Sequence, residues 1–223
     1  MATQKLEVIP TLTEAVKLGL ANIVPLILTV ILYVLTVWIP WLNVGTTIGL
    51  YKVIIAMSEG RSIDPTSIFA KENFTDLGNF FLLLGFLSIG ITAATCFMLV
   101  PGIIMSIAWG FATLLLIDKK LRPVKAMALS DKATFGNKWN IFLVLLLLSV
   151  VLSIVSGIFA LIPKVGFIFV FLVSILGAAV AVAVDAVIYR FISAKVDGIL
   201  AGDDAPAAPA AAVEPEAPVA PAE

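Results

Sequence analysis

Pro40, Pro101 and Pro163 each stand between a pair of long apolar runs, and they lie 61 and 62 residues apart. A chain that returns to the same punctuation at one interval reads as a single unit written three times, so one folding solution must serve all three copies. The flanking runs lie at about 20 to 39, 44 to 57, 80 to 100, 101 to 117, 141 to 162 and 165 to 189. Crossing a bilayer takes roughly 20 residues at 1.5 Å rise per residue. The expected class is therefore all-α: a polytopic membrane protein with six transmembrane helices arranged as three parallel repeated hairpins. The second run is short for a span, and tilting or local thinning of the bilayer is expected rather than a re-entrant loop.

Composition supports that solvent. Hydrophobic residues make up 61% of the 223, charged residues 13%, and the mean hydropathy is +1.12. Soluble domains are roughly 45 to 50% apolar. The first apolar run follows Lys5, Glu7, Glu14 and Lys17 and precedes no small-residue cleavage pattern, so it is expected to stay in the mature chain.

Orientation follows from charge, because Lys and Arg accumulate on the cytoplasmic side. In the six-span arrangement Lys5, Lys17, Lys52, Arg61, Lys71, the six cations from Lys119 to Lys138, Arg190 and Lys195 share one side, and Lys164 alone lies across the membrane. Both termini are expected on the cytoplasmic side, with the protein in the cell (inner) membrane. The opposite face is then three tight structural turns, at Pro40 to Val44, Val100 to Gly102 (with the Pro101–Gly102 pair) and Pro163 to Gly166.

At an offset of 61, Gly49 falls on Gly110, Arg61 on Arg122, and Phe74, Asn79 and Phe81 on Phe135, Asn140 and Phe142. Ser88, Thr92 and Cys96 fall on Ser149, Ser153 and Gly157. Pro10, Pro65 and Pro123 each precede a short amphipathic segment, giving units of about 10–58, 65–117 and 123–192 within a helical membrane domain, 1–195. Thr11 with Glu14 fits a capping box, and Asp64 before Pro65 fits an N-cap with proline at the first helical position. Val124, Met127, Ala128 and Phe135 recur at helical spacing, and Trp139 closes the segment as an interface anchor. These short helices are expected to lie along the cytoplasmic headgroups. The small residues at four-residue spacing read as helix contacts, since apolar helices in lipid gain from close approach; a polar stripe lining a solute path is the alternative.

Few residues can carry chemistry. Histidine is absent, which removes His-based hydrolase triads and the commonest metal ligand, and the single Cys96 offers neither a disulfide framework nor a thiolate cluster. Phosphate-loop, dinucleotide and zinc patterns are missing, so catalytic, cofactor-binding and metal residues are expected to be none, and the chain reads as non-enzymatic. Lys52 and Asp185 are the ionisable residues well inside expected spans, where a central charge costs roughly 2.5 to 3.5 kcal/mol. Their similar depth suggests an intramembrane ion pair, and separate snorkelling is the alternative. Lys119, Lys120, Arg122, Lys125, Lys132 and Lys138 form a basic loop suited to anionic lipid headgroups, which positive-inside topology alone also explains; nucleic acid is not an expected partner. Residues 202–223, rich in Ala, Pro and Glu, read as a disordered cytoplasmic tail.

The stretch from Val100 to Phe142, with Pro101–Gly102, Asp118, Pro123, Ala126, Ser130, Gly136, Trp139 and Phe142, resembles an uncharacterised bacterial multi-pass integral-membrane family. That family is related to the membrane domain of some glycerophosphodiester phosphodiesterases. With Gly49, Ile68 and Phe69 the resemblance extends to about residue 193. It implies a membrane helical fold; catalysis in the phosphodiesterase relatives belongs to a separate soluble domain, so the resemblance does not imply that activity here. The expected role is lipid contact, or a scaffold or accessory role towards other membrane proteins, at the cytoplasmic face. A small-solute transporter or channel is the alternative, although parallel repeats lack the inversion on which alternating access is usually built.

Overall fold

The structure is a computed structural model that describes residues 5–75, 77–162 and 165–203. Among these residues it is all-helical: α1 (Val8–Ala21), α2 (Ile23–Thr36), α3 (Pro40–Ser58), two 3-10 turns (Pro65–Phe69 and Lys71–Phe74), α4 (Leu77–Phe97), α5 (Leu99–Trp109), α6 (Ala112–Lys119), α7 (Pro123–Thr134), α8 (Lys138–Ala160) and α9 (Gly166–Asp203). Four stretches are long and apolar enough to cross a membrane: α4, the α5–α6 run, α8 and α9. A fifth is reached if the bent pair α1–α2 counts as one.

Every expected apolar run is helical, but the boundaries move for physical reasons. The first run is broken at Asn22, where α1 and α2 meet at 84°. The Asn22 side chain donates to the Leu18 carbonyl at 3.0 Å, an acceptor that the Asn22 amide also reaches, so the residue holds the end of α1 twice. The capping box at Thr11 is not used. Helix α1 starts a turn earlier, after Glu7, and the Thr11 hydroxyl donates to the Glu7 carbonyl from within the helix. Nor is α1 a detached surface helix: Thr11, Ala15 and Gly19, four apart, form one buried edge against α9. The Asp64 cap does form, its carboxylate accepting from the Thr66 amide and hydroxyl at 2.9 and 2.8 Å, although the segment that follows is a 3-10 turn.

Two of the three prolines open helices rather than sit in the turns before them. Pro40 is at the start of α3, and Pro101 lies in the first turn of α5, where a missing amide costs nothing. The chain reverses earlier than expected, at Val37–Ile39 and at the extended Met98. Pro163 lies outside the described residues, as do Lys164 and residues 204–223. The last helix continues past the expected end at 189, because Tyr189, Ile192 and Val196 keep a buried apolar edge at helical spacing.

The buried core gathers at one end of the long helices. Phe80 and Leu83 are the buried side chains of α4, Ile141 and Val144 those of α8, and the buried hydrophobics of α9 begin at Ala179. There they meet α3, α6 and α7. Beyond that core, α4 with α5 and α8 with α9 continue as two apolar hairpins that are largely exposed over their outer halves. Within each hairpin the partners touch closely. The Cβ missing from Gly102 would lie 2.2 Å from Thr95 Oγ1, and that missing from Gly90 would lie 2.5 Å from the Trp109 ring. Phe159 stacks on Phe169 at 5.4 Å.

The expected small-residue contacts are not the ones used. Ser88, Thr92 and Cys96 are exposed on α4, and Ser149, Ser153 and Gly157 are exposed on α8. Contact falls to other residues around the helix, Leu84, Leu87, Ile91 and Ala94 on α4 and Leu148, Leu152, Val155 and Phe159 on α8, each set partly buried at three- and four-residue steps.

Candidate lipid-facing surface at the basic end of the bundle

Helix α6 ends at Lys119, and Lys120 takes a left-handed conformation (φ 50°) that turns the chain towards α7. Helix α7 then packs back along α6 and α5. Its inner face, Ala126, Leu129, Ser130, Ala133 and Thr134, is buried, and the Ser130 hydroxyl donates to the Ala108 carbonyl at 2.7 Å. Its outer face keeps Val124 and Ala128 exposed and Met127 partly so. With Phe86, Ile89 and Trp109 these residues form an open apolar groove of about 440 Å³. Phe135 and Trp139 extend the apolar surface beyond the helix, both well exposed, and Trp139 stacks on Phe142 at 5.4 Å.

The six basic residues divide into two groups. Lys119 lies 2.9 Å from Asp197 and 3.6 Å from Asp118, and the latter accepts from the Tyr189 hydroxyl at 2.6 Å. Lys138 pairs with Asp131 at 2.6 Å. These two are engaged in joining α6 to α9 and α7 to α8. Lys120, Arg122, Lys125 and Lys132 are exposed and have no carboxylate within 4.0 Å among the described residues. On α7, Lys125 and Lys132 stand seven residues apart, two turns along one edge, beside the exposed apolar positions 124 and 128.

Lys52 and Asp185 are not brought together, and neither takes part in an ion pair among the described residues. Neighbouring positions on a helix point about 100° apart. On α3 it is Tyr51 that lies within electrostatic reach of Asp185, together with Tyr33 and Thr113, whereas Lys52 follows Ile48 towards a cavity between α3, α4 and α6. The interior polar set continues outward through Tyr33 and Thr47, 3.3 Å apart, and Thr36 and Thr46, 2.8 Å apart.

Two contacts at this end join residues too far apart in the chain for its local patterns to reveal. The Asn137 side chain accepts from the Leu6 amide at 2.8 Å, and the Asn140 side chain donates to the Leu6 carbonyl at 2.6 Å, so both backbone groups of Leu6 are held by the start of α8. Glu14 on α1 also pairs with Arg190 on α9. Asn140 stands out in the sequence only as a repeated residue, and its partner lies 134 positions away. The Lys195 ammonium donates to the Ala133 carbonyl at 2.8 Å, at the last turn of α7.

Compared with family models, with curated proteins and with solved structures, the chain has no match. Function must therefore be read from the geometry alone.

Proposed function

We propose that this chain is a non-enzymatic integral membrane protein of the bacterial inner membrane, working through lipid contact, or as a scaffold for other membrane proteins, at its cytoplasmic face. The observation that carries the reading is the outer surface of α7, where exposed apolar side chains adjoin exposed cations that have no ion partner among the described residues. A basic helix with one apolar edge suits the boundary between headgroups and acyl chains. Each well-placed Lys or Arg near an anionic surface contributes about 1 kcal/mol, so the four unpaired cations together contribute on the order of 4 kcal/mol. Lys119 and Lys138, already paired, add less.

In the same reading the chain makes six spans as three parallel hairpins, with both termini cytoplasmic. Support comes from positions 61 apart: Ile68 and Leu129 are both buried, as are Asn73 and Thr134. The family resemblance of Val100 to Phe142 fits such a membrane domain. The transport alternative draws on the interior group of Tyr33, Tyr51, Thr113 and Asp185.

The test is lipid analysis of the full chain purified in a mild detergent. Anionic phospholipid is expected to be enriched over its share in the bulk membrane. The enrichment should fall by an order of magnitude or more in the triple variant Arg122→Gln, Lys125→Gln, Lys132→Gln, from about 1 kcal/mol per cation. Retained lipid that mirrors the bulk membrane, in both proteins, would refute the lipid-contact reading.

A further inference from the structure

A cavity of about 270 Å³ lies between α3, the second 3-10 turn, α4 and α6. Lys52 and Lys120 both line it, from segments 68 residues apart in the sequence, with Glu72, Thr75 and Asn79. Each ammonium presents three donors and no acceptor. Neither has a carboxylate within 4.0 Å among the described residues. Lys120 is the one non-glycine described residue in the left-handed region, at the turn between α6 and α7, and the neighbouring Lys119 lies within 4.0 Å of Asp118 and Asp197. Phe80 and Leu116 supply apolar walls, against which a charge-assisted hydrogen bond is stronger than in water.

We propose that this cavity binds a phosphate group, held between Lys52 and Lys120, of the kind carried by an anionic lipid headgroup or a free phosphate ester. A phosphate is all acceptor, which matches two ammoniums; the Thr75 hydroxyl donates to the Glu72 carbonyl at 2.8 Å. At about 270 Å³ the cavity is far larger than the ~10–15 Å³ that a single water needs, which leaves room for a phosphate group. Among the described residues, two cations and the one carboxylate of Glu72 line the cavity. The proposal rests on the lipid-contact reading for placing this end of the bundle against headgroups, and it deepens that reading from a surface to a site.

The experiment titrates the purified full chain, in a neutral detergent, with phosphatidylglycerol, phosphatidylcholine or inorganic phosphate, and follows binding by native mass spectrometry. Phosphatidylglycerol is expected to bind more tightly than phosphatidylcholine, and Lys52→Gln and Lys120→Gln each to weaken it about fivefold. Glu72→Gln is expected to tighten it, a gain that a folding defect cannot mimic. Inorganic phosphate binding with the same lysine dependence makes the phosphate alone sufficient; a response to phosphatidylglycerol only makes the lipid the source. Either result supports the site. Phosphatidylglycerol and phosphate binding unchanged in Lys52→Gln, Lys120→Gln and Glu72→Gln would overturn it. If binding then falls only in the Arg122, Lys125, Lys132 triple variant, the surface reading stands without the cavity; if it falls in none, both readings fail.

Discussion

At the scale of single residues, close approach decides more than charge. A Cβ on Gly49 would lie 2.5 Å from the Ile68 backbone and 2.8 Å from the Asn73 amide, atoms of a turn that the same asparagine holds by donating to the Ser67 and Ile68 carbonyls at 3.0 Å. Gly49→Ala is expected to destabilise the fold by about 1 to 3 kcal/mol, whereas Gly157→Ala, with nothing within 4 Å, should be near neutral. Thermal unfolding of the two variants in one detergent checks the contrast. Asp64 gives a pH dependence. Hydrogen bonds from the Thr66 hydroxyl and then the Thr66 amide hold its carboxyl below the ordinary 3.8. Its contribution to the turn is therefore present above the ordinary value and is lost as pH falls through the depressed one. Amide exchange at Thr66, corrected for intrinsic rate, should show unchanged protection from pH 6 to pH 5 and progressive loss below pH 4. The sequence made Gly49 visible through its echo at Gly110, and made the Asp64 cap visible outright. It could not orient Lys52, because a one-residue difference around α3 separates the side facing α9 from the side facing the cavity.

At the scale of elements, apolar length was legible and the breaks were not. Six runs appear as helix because periodic apolar residues leave a chain few other ways to satisfy its backbone in lipid. The bend at Asn22 depends on α1 finding α9, whose partner residues lie more than 150 positions away. The same distance hid the clamp on Leu6. Asn137→Ala and Asn140→Ala together remove both side-chain bonds to that backbone, at roughly 0.5 to 1.5 kcal/mol each. Faster amide exchange at Leu6, with α9 unchanged, is the expected outcome; equal protection in the variant would show that burial of Leu6 alone fixes the segment. Helix α7 was expected from its proline start and its spacing, and it forms. Its inner face was missed, since Ala126, Ser130 and Ala133 are small and draw no attention until α5 and α6 are seen against them.

At the scale of the whole molecule, the packed core and the apolar surface occupy different ends. One end joins α3, α6, α7 and the last half of α9 around buried side chains, and carries the unpaired cations; from it two exposed apolar hairpins extend. Surfaces of that extent are stable only against an apolar partner, and the bilayer is the partner that their length suits. The account stands on the hairpins crossing lipid and the basic end remaining on one side. Cys96, the sole cysteine, lies near the far tip of the α4–α5 hairpin and is exposed, so it reports on this directly. The decisive measurement is labelling by a membrane-impermeant maleimide in sealed vesicles of known orientation, comparing native Cys96 with Lys125→Cys in a Cys96→Ser background. The account predicts that the two positions label from opposite sides. Labelling of both from the same side would contradict it.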